Sequence, residues 1–257
     1  MLEQLKAFFY RVSVSNIYIY ALVRNSISKL SFLLPHDPDF YAFRKVGGGQ
    51  HVFLDVGAND GVSARAYRKL VPNRPIVSIE PNPHHEPSLK KVKKSINDFT
   101  YHLIGAGDKE GQFVLYTPIY KGVPLTNYAS LDIETARKNL DRHMNIRNIG
   151  KNAEFLRNDV VIKKLDELNL DPAIIKIDVE GFEDNVITGL AETIKKSRPM
   201  IMVEHNHRSY SAIKAMLTAQ DYTVNAYDVP TDKFIEFPEA EPVLNVFFLP
   251  KEAHYCH

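Results

Sequence analysis

The sequence predicts an α/β protein built on a doubly wound, mostly parallel sheet, and three observations predict it. Short apolar runs rich in β-branched residues recur along the chain, each run ends in a turn bearing glycine or acid, and a segment with helical spacing follows. Strands covered on both faces read as such unbroken apolar runs, and the intervening helices supply the crossovers a parallel sheet requires. A chain of 257 residues has room for one large domain with an N-terminal extension.

Residues 1–34 carry Phe8, Phe9, Tyr10, Tyr18, Tyr20 and Phe32 alongside Lys6, Arg11, Arg24 and Lys29. This reads as amphipathic helix, either a cap over one edge of the main domain or a peripheral contact with a membrane surface or partner. Pro35, Pro38 and the Gly47-Gly48-Gly49 run then break regular structure. An N-terminal helical extension is therefore expected over residues 1–49 and a catalytic domain over 50–257.

The chain is organised around residues 51–61, His-Val-Phe-Leu-Asp-Val-Gly-Ala-Asn-Asp-Gly. Val52, Phe53, Leu54 and Val56 form a buried strand, Gly57 and Gly61 punctuate the turn, and residues 62–70 continue as helix. The free N–H groups of that helix start face whatever the turn cradles. Asp55 interrupts an apolar strand and so needs a donor or a cation. The next apolar run ends at Glu80, in Ile-Glu-Pro-Asn-Pro, which places a carboxylate at the carboxyl edge of the adjacent strand. There it is suited to both hydroxyls of a nucleoside ribose.

Residues 87–96 form a helix whose lysines are a solvated face, and His84 and His85 are given no role. A strand over 99–104 leads into Gly105-Ala106-Gly107-Asp108, small residues that leave room for a flat base. Residues 112–120 alternate as a strand. The polar stretch 124–155 has no place in a minimal sheet and reads as an insertion carrying acceptor specificity, with Asn127, Tyr128, Ser130, Arg137, Arg142, His143 and Arg147 as donors. Regular structure resumes over 160–168.

Ile174 to Ile177 is the next strand, followed by Asp178-Val179-Glu180-Gly181-Phe182-Glu183 and a helical stripe of Phe182, Val186, Ile187, Leu190 and Ile194. Residues 199–203 are a further strand, ending in Glu204-His205-Asn206-His207 before a helix over 210–219. Acids and imidazoles thus gather at neighbouring strand ends. Asp178, Glu180, Glu204 and His205 can deprotonate a hydroxyl, or can hold a divalent cation that acidifies it. Strands over 223–229 and 243–249 close the sheet and are expected to pair antiparallel at its edge.

Composition narrows the partners. With 32 Lys and Arg against 31 Asp and Glu, no global charge attracts nucleic acid, and none is expected as a partner. The single cysteine, Cys256, excludes an intrachain disulfide framework and a thiol metal cluster, and suits a reducing compartment. No apolar run reaches the roughly 18 residues of a membrane span, and Glu3, Lys6 and Arg11 interrupt any secretory signal. A soluble cytoplasmic protein is expected.

With Asp-Val-Gly-Ala-Asn-Asp-Gly, Ile-Glu-Pro-Asn-Pro, Lys-Ile-Asp-Val-Glu-Gly-Phe-Glu and Val-Glu-His-Asn in this order, the chain resembles the FkbM family of S-adenosylmethionine-dependent methyltransferases over roughly residues 50–250. The resemblance implies a Rossmann-like methyltransferase sheet with an antiparallel last strand and a cofactor across its carboxyl edge. It implies that Asp55, Gly57, Asn59 and Gly61 wrap the amino-acid portion of S-adenosylmethionine, that Glu80 holds the ribose, that Gly105 and Ala106 flank the adenine, and that Asn82 is also among the cofactor-binding residues. Asp178 and Glu180 would face the methyl group, and the acceptor would be a hydroxyl of a sugar, glycan or natural product.

Two other classes compete. An NAD-dependent oxidoreductase shares the strand, glycine turn and later acid, but the turn lacks the middle glycine of G-x-G-x-x-G that admits a pyrophosphate. A non-catalytic scaffold would not need four polar residues at converging strand ends, although fold alone does not prove activity.

Overall fold

The computed structural model describes residues 16–22, 37–46, 49–238 and 243–253. The expected helical reading of residues 1–34 lies outside these except at 16–22, where residues 17–22 are helical. A first parallel group comprises β1 (Val52–Val56), β2 (Ile76–Ile79), β3 (Phe99–His102), β8 (Pro172–Ile177) and β9 (Met200–Glu204). With β10 (Tyr222–Asp228), β11 (Lys233–Glu236) and β12 (Asn245–Pro250) they make one sheet in the order β11-β10-β12-β9-β8-β1-β2-β3. Neighbours from β3 to β9 run parallel, whereas β12 is antiparallel to both β9 and β10.

The doubly wound sheet with an antiparallel last strand is therefore present, with one displacement. β12 pairs with β10 as expected, but it is wedged between β9 and β10 rather than lying at the edge. The edge is β11, which forms a hairpin with β10 between the two strands expected over 223–229 and 243–249.

Alternation in the strands builds a core on each face. Leu54, Val56, Val77, Ile79, Ile175 and Ile177 face one side. There they meet α5 (Glu183–Thr188), α6 (Ala191–Ser197) and α7 (Tyr210–Thr218). On the other side Phe53, Ile76, Ile174 and Met202 meet α1 (Val62–Leu70) and α2 (Glu86–Ser95). The single helix expected from Phe182 to Ile194 is split into α5 and α6. Gly189 sits at the break, where a Cβ would come 2.0 Å from the Gly107 carbonyl oxygen. Asp166 caps the second piece, its Oδ1 accepting the Thr193 N–H at 2.8 Å.

The insertion is larger and more regular than its polar sequence suggests. β4 (Gly105–Ala106), β5 (Gly111–Tyr120), β6 (Val123–Pro124) and β7 (Glu154–Lys163) form a second sheet, β4-β7-β5-β6. With α3 (Ile133–His143) and α4 (Ile149–Asn152) it encloses a small core of its own, Leu125, Leu140, Met144, Ile149 and Ala153. Ile17 is buried in that core and Tyr20 stacks on Tyr128 at 6.4 Å, so the described part of the N-terminal segment packs on the insertion. No helix among the described residues is long and apolar enough to cross a membrane.

The packed unit begins ahead of the boundary expected near Gly49. Residues Pro38–Lys45 form a 3-10 helix, N-capped by the Asp37 side chain, with Phe40 and Phe43 fully buried. The Phe43 ring lies 5.0 Å from that of Phe40, 5.4 Å from Phe53 and 5.8 Å from Tyr67. Truncating such a ring removes its buried area and leaves a cavity. Phe43→Ala should lower unfolding free energy by about 3 to 5 kcal/mol in urea titrations. A loss under 1 kcal/mol would put this helix outside the cooperative unit.

Candidate active site

One cavity of about 650 Å³ opens along the carboxyl ends of β2, β1, β8 and β9, where the chain order reverses on either side of β1. Open α/β sheets bind ligands at such a switch point. Three strand spacings separate β2 from β9, so the cleft spans roughly 14 Å. Glu80, Asn82, Gly105 and Ala106 border one end; Asp178, Glu180 and Glu204 border the other.

At the first end the Glu80 carboxylate is fixed by two backbone donors. Its Oε2 accepts the Asn59 N–H at 2.8 Å and its Oε1 the Asn82 N–H at 2.8 Å. Each oxygen keeps a lone pair for a ligand hydroxyl. Burial pushes the Glu80 pKa up to about 7, against the pull of those N–H groups and of Lys176. Asn59 adopts a left-handed backbone, φ 51°, in the glycine turn from which its N–H reaches Glu80.

The centre is held by Lys176, a buried lysine that sequence reasoning missed as a functional residue. It faces Asp55 directly across β8 and β1. Its Nζ lies 3.4 Å from Asp55 Oδ1 and 3.3 Å from Asp178 Oδ2, and donates to the Gly57 carbonyl at 3.2 Å. Burial alone would lower its pKa, but Asp178 and Asp55 outweigh burial and raise it. The cation that Asp55 was expected to need is thus supplied by the next strand. A lysine inside Ile-Ile-Lys-Ile, opposite an aspartate in a second apolar strand, was the available signal.

At the far end Asp178, Glu180 and Glu204 each offer an oxygen within 4.8 Å of the others. The strand stops at Ile177, and a turn with Glu180 at φ 54° and Gly181 at φ 97° follows it, which brings Glu180 beside Asp178 and Glu204. Burial drives the Glu204 pKa up to about 9, helped by the charges of Asp178 and Glu180 and by a hydrogen bond with Asp178. Burial, then Asp178 and Glu183, raises Glu180 to about 7.

Three expected contacts are corrected. Asp55 does not border the cavity; it is fully buried, accepting from Ser63 Oγ at 2.6 Å and Ser78 Oγ at 3.2 Å, and so braces the turn from behind. Gly61 does not border it either, because it starts α1 at φ 79° where a Cβ would strike Val92 at 2.8 Å. His205 points away, its ring packed at 5.0 Å from Tyr210 and 5.5 Å from Phe237. Gly57 and Asn59 do border the cavity. The reason for Gly57 is the neighbouring turn, since a Cβ there would lie 1.8 Å from the Asp178 carbonyl oxygen.

From the insertion, Asn127 and Ser130 reach the cavity, while Arg137 is spent on the Gly150 carbonyl at 2.8 Å and on Glu134. Arg208, beside Ser209 at the start of α7, borders the acidic end and was not singled out from the sequence.

This fold and cleft define a class: a doubly wound α/β domain with a ligand-sized cleft across the carboxyl edge of its sheet. The model described as "Methyltransferase FkbM domain" matches residues 55–224, and the chain belongs to the FkbM methyltransferase family. A curated relative, 2-O-methyltransferase NoeI of Sinorhizobium fredii, is 26% identical over 148 residues, 57% of this chain and 60% of the relative. The chain therefore spans 60% of that relative's length, less than two thirds of it. Among solved structures, methyltransferase FkbM of Methylobacillus flagellatus is similar at a TM-score of 0.48 and 16% identity, covering 77% of this chain and 43% of that one. Aeropyrum pernix fibrillarin, solved with S-adenosyl-L-methionine, gives a TM-score of 0.42 at 10% identity, covering 82% and 75%.

The raised acids make a stability prediction. A carboxyl whose folded pKa exceeds its unfolded value binds its proton more tightly when folded, so stability falls as pH rises from about 4.5. For Glu204 the decline continues to about 9. Glu204→Gln should flatten that decline and raise the melting temperature at pH 8 by about 2 to 4 °C. Parallel melting curves for both proteins from pH 5 to 9 would refute the assignment.

Proposed function

We propose that the chain is an S-adenosylmethionine-dependent O-methyltransferase acting on a hydroxyl of a small molecule or glycan, with a sugar as the favoured acceptor. The observation that carries this reading is that one cleft joins a Glu80 carboxylate with free lone pairs to the acidic group of Asp178, Glu180 and Glu204. Family membership supports the cofactor, and the name of the 2-O-methyltransferase relative supports an oxygen acceptor.

The residues fit the cofactor. The cavity lies in the range of roughly 300 to 1,000 Å³ typical of small-ligand sites, and its acidic lining suits a cationic ligand. Glu80 would bind the ribose hydroxyls, Gly57 and Asn59 would border the amino-acid portion, and Gly105 with Ala106 would leave space for the adenine. S-adenosylmethionine supplies, when bound, an electrophilic methyl group on a sulfonium. The protein must align the acceptor oxygen, exclude water and remove a proton. Asp178, ion-paired with Lys176, takes the hydroxyl proton in this reading, while Glu204 keeps its own proton at neutral pH and hydrogen-bonds to Asp178.

A second reading of the same end is favoured by the spacing of its oxygens. Three carboxylates within 4.8 Å of one another can hold a divalent cation that acidifies the acceptor hydroxyl. We read the protein as cytoplasmic, in keeping with its lone cysteine. Tyr18 and Leu22, exposed beside buried Ile17, support a peripheral membrane contact through the N-terminal segment.

Calorimetry with S-adenosylmethionine, S-adenosylhomocysteine and NAD separates the rival classes. Binding of the first two and not of NAD is expected, and NAD binding alone would overturn the proposal. Glu80→Ala should cost about 1.5 to 3 kcal/mol of cofactor affinity through lost charge-assisted bonds. With an accepted sugar, Asp178→Asn should lower turnover about 10² to 10⁴-fold while cofactor affinity largely survives. Loss of activity on chelation, restored by a divalent cation, would select the metal reading.

A further inference from the structure

Glu80 owes its position to the backbones of two asparagines, and the side chains of those same two asparagines are gripped from the second sheet. Asn59 Nδ2 donates to Asn127 Oδ1 at 2.8 Å, and Asn82 Nδ2 donates to Thr117 Oγ1 at 3.3 Å. Thr117 is a fully buried residue of β5; Asn127 lies in the turn after β6. The two bonds arrive from different segments of the insertion and end on the two residues whose N–H groups hold the Glu80 oxygens.

We propose that the four-stranded sheet clamps the ribose end of the cleft, with Thr117 and Asn127 as positioning residues that orient Glu80 through Asn82 and Asn59. The inference rests on the reading of this cleft as the cofactor site. It differs from the expectation that the insertion serves acceptor specificity alone.

Three physical points support it. Asn59 sits at φ 51°, in the left-handed region that asparagine enters more readily than other non-glycine residues, and a bond from outside its turn holds that turn, and with it the N–H on Glu80, in place. Its side chain is tied to Asn127. Asn82 sits in a short turn rather than in a strand, with its Oδ1 already accepting the His84 N–H, and Thr117 fixes the remaining side of its amide. Finally, the far end of the second sheet packs around a core of its own, while Ala106 of β4 joins the core of the main sheet. Movement of β5 and of the turn after β6 reaches the Glu80 donors through these two hydrogen bonds.

The test uses the full chain and four variants. Thr117→Val keeps shape and loses the hydroxyl; Asn127→Leu loses the acceptor; Thr117→Ser and Asn127→Asp restore each. In the cofactor-free protein, amide hydrogen exchange at Asn82 should quicken roughly 3- to 10-fold in Thr117→Val, and that at Asn59 in Asn127→Leu, as expected for loss of one supporting hydrogen bond. Ser and Asp should return wild-type rates. S-adenosylhomocysteine should bind about 3- to 10-fold more weakly to the Val and Leu variants, with melting temperatures near wild type. Unchanged exchange at both amides, or unchanged affinity beside a binding wild type, overturns the clamp. A wild-type protein that binds neither S-adenosylmethionine nor S-adenosylhomocysteine overturns the cofactor reading instead, and the exchange rates still decide whether the clamp exists.

Discussion

The arrangement of the cleft depends on one buried cation. Lys176 stands between Asp55 and Asp178 and also holds the Gly57 carbonyl, so a single ammonium group ties the first strand, its turn and the turn after β8. Burying that charge is costly, and replacing such pairs with apolar side chains is often neutral or stabilising. The arrangement is therefore better explained by placement than by stability. With Asp55 anchored through Ser63 and Ser78 to α1 and β2, the lysine is fixed from behind and presents Asp178 to the cleft. Contact between the two turns is so close that only a glycine fits at position 57.

The acidic end follows from that placement. Once Asp178 is committed to Lys176, two further carboxyls crowd it, and burial and the neighbouring charges make them hold protons. Groups of one chemical type with divided protonation can accept and relay a proton at one pH. The folded state is strained by this crowding and by the left-handed backbone of Glu180. Such local cost beside a cleft is characteristic of sites shaped for chemistry rather than for stability.

Much of this was legible in the sequence where burial writes a continuous signal. The strands carrying Asp55, Glu80, Asp178 and Glu204 are apolar on both faces, and their ends are marked by charge. The second sheet was not legible as a sheet, because β5 and β7 are half exposed and alternate weakly. Lys176 read as an interruption of its strand, since its meaning lies in a partner 121 positions earlier. His205 looked functional from its neighbours, but the ring of Phe237, far along the chain, decides where it points. Asn127 was visible only as one donor among several. Its partner Asn59 could be identified only in three dimensions.

The wedged position of β12 bears on how the molecule is made. β9 and β10 are both complete before residues 245–250 emerge during synthesis, yet neither can pair with the other, because the gap between them is reserved for β12. Until that strand arrives, the nascent sheet carries two open hydrogen-bonding edges lined by Met200, Ile201, Met202 and Val203 on one side and Tyr222 and Val224 on the other. Unpaired apolar edges are templates for association with other chains. Ribosome stalling or premature termination shortly before Asn245 would thus release a product with its cleft residues present and its sheet unsealed, a species for chaperones and proteases rather than for catalysis.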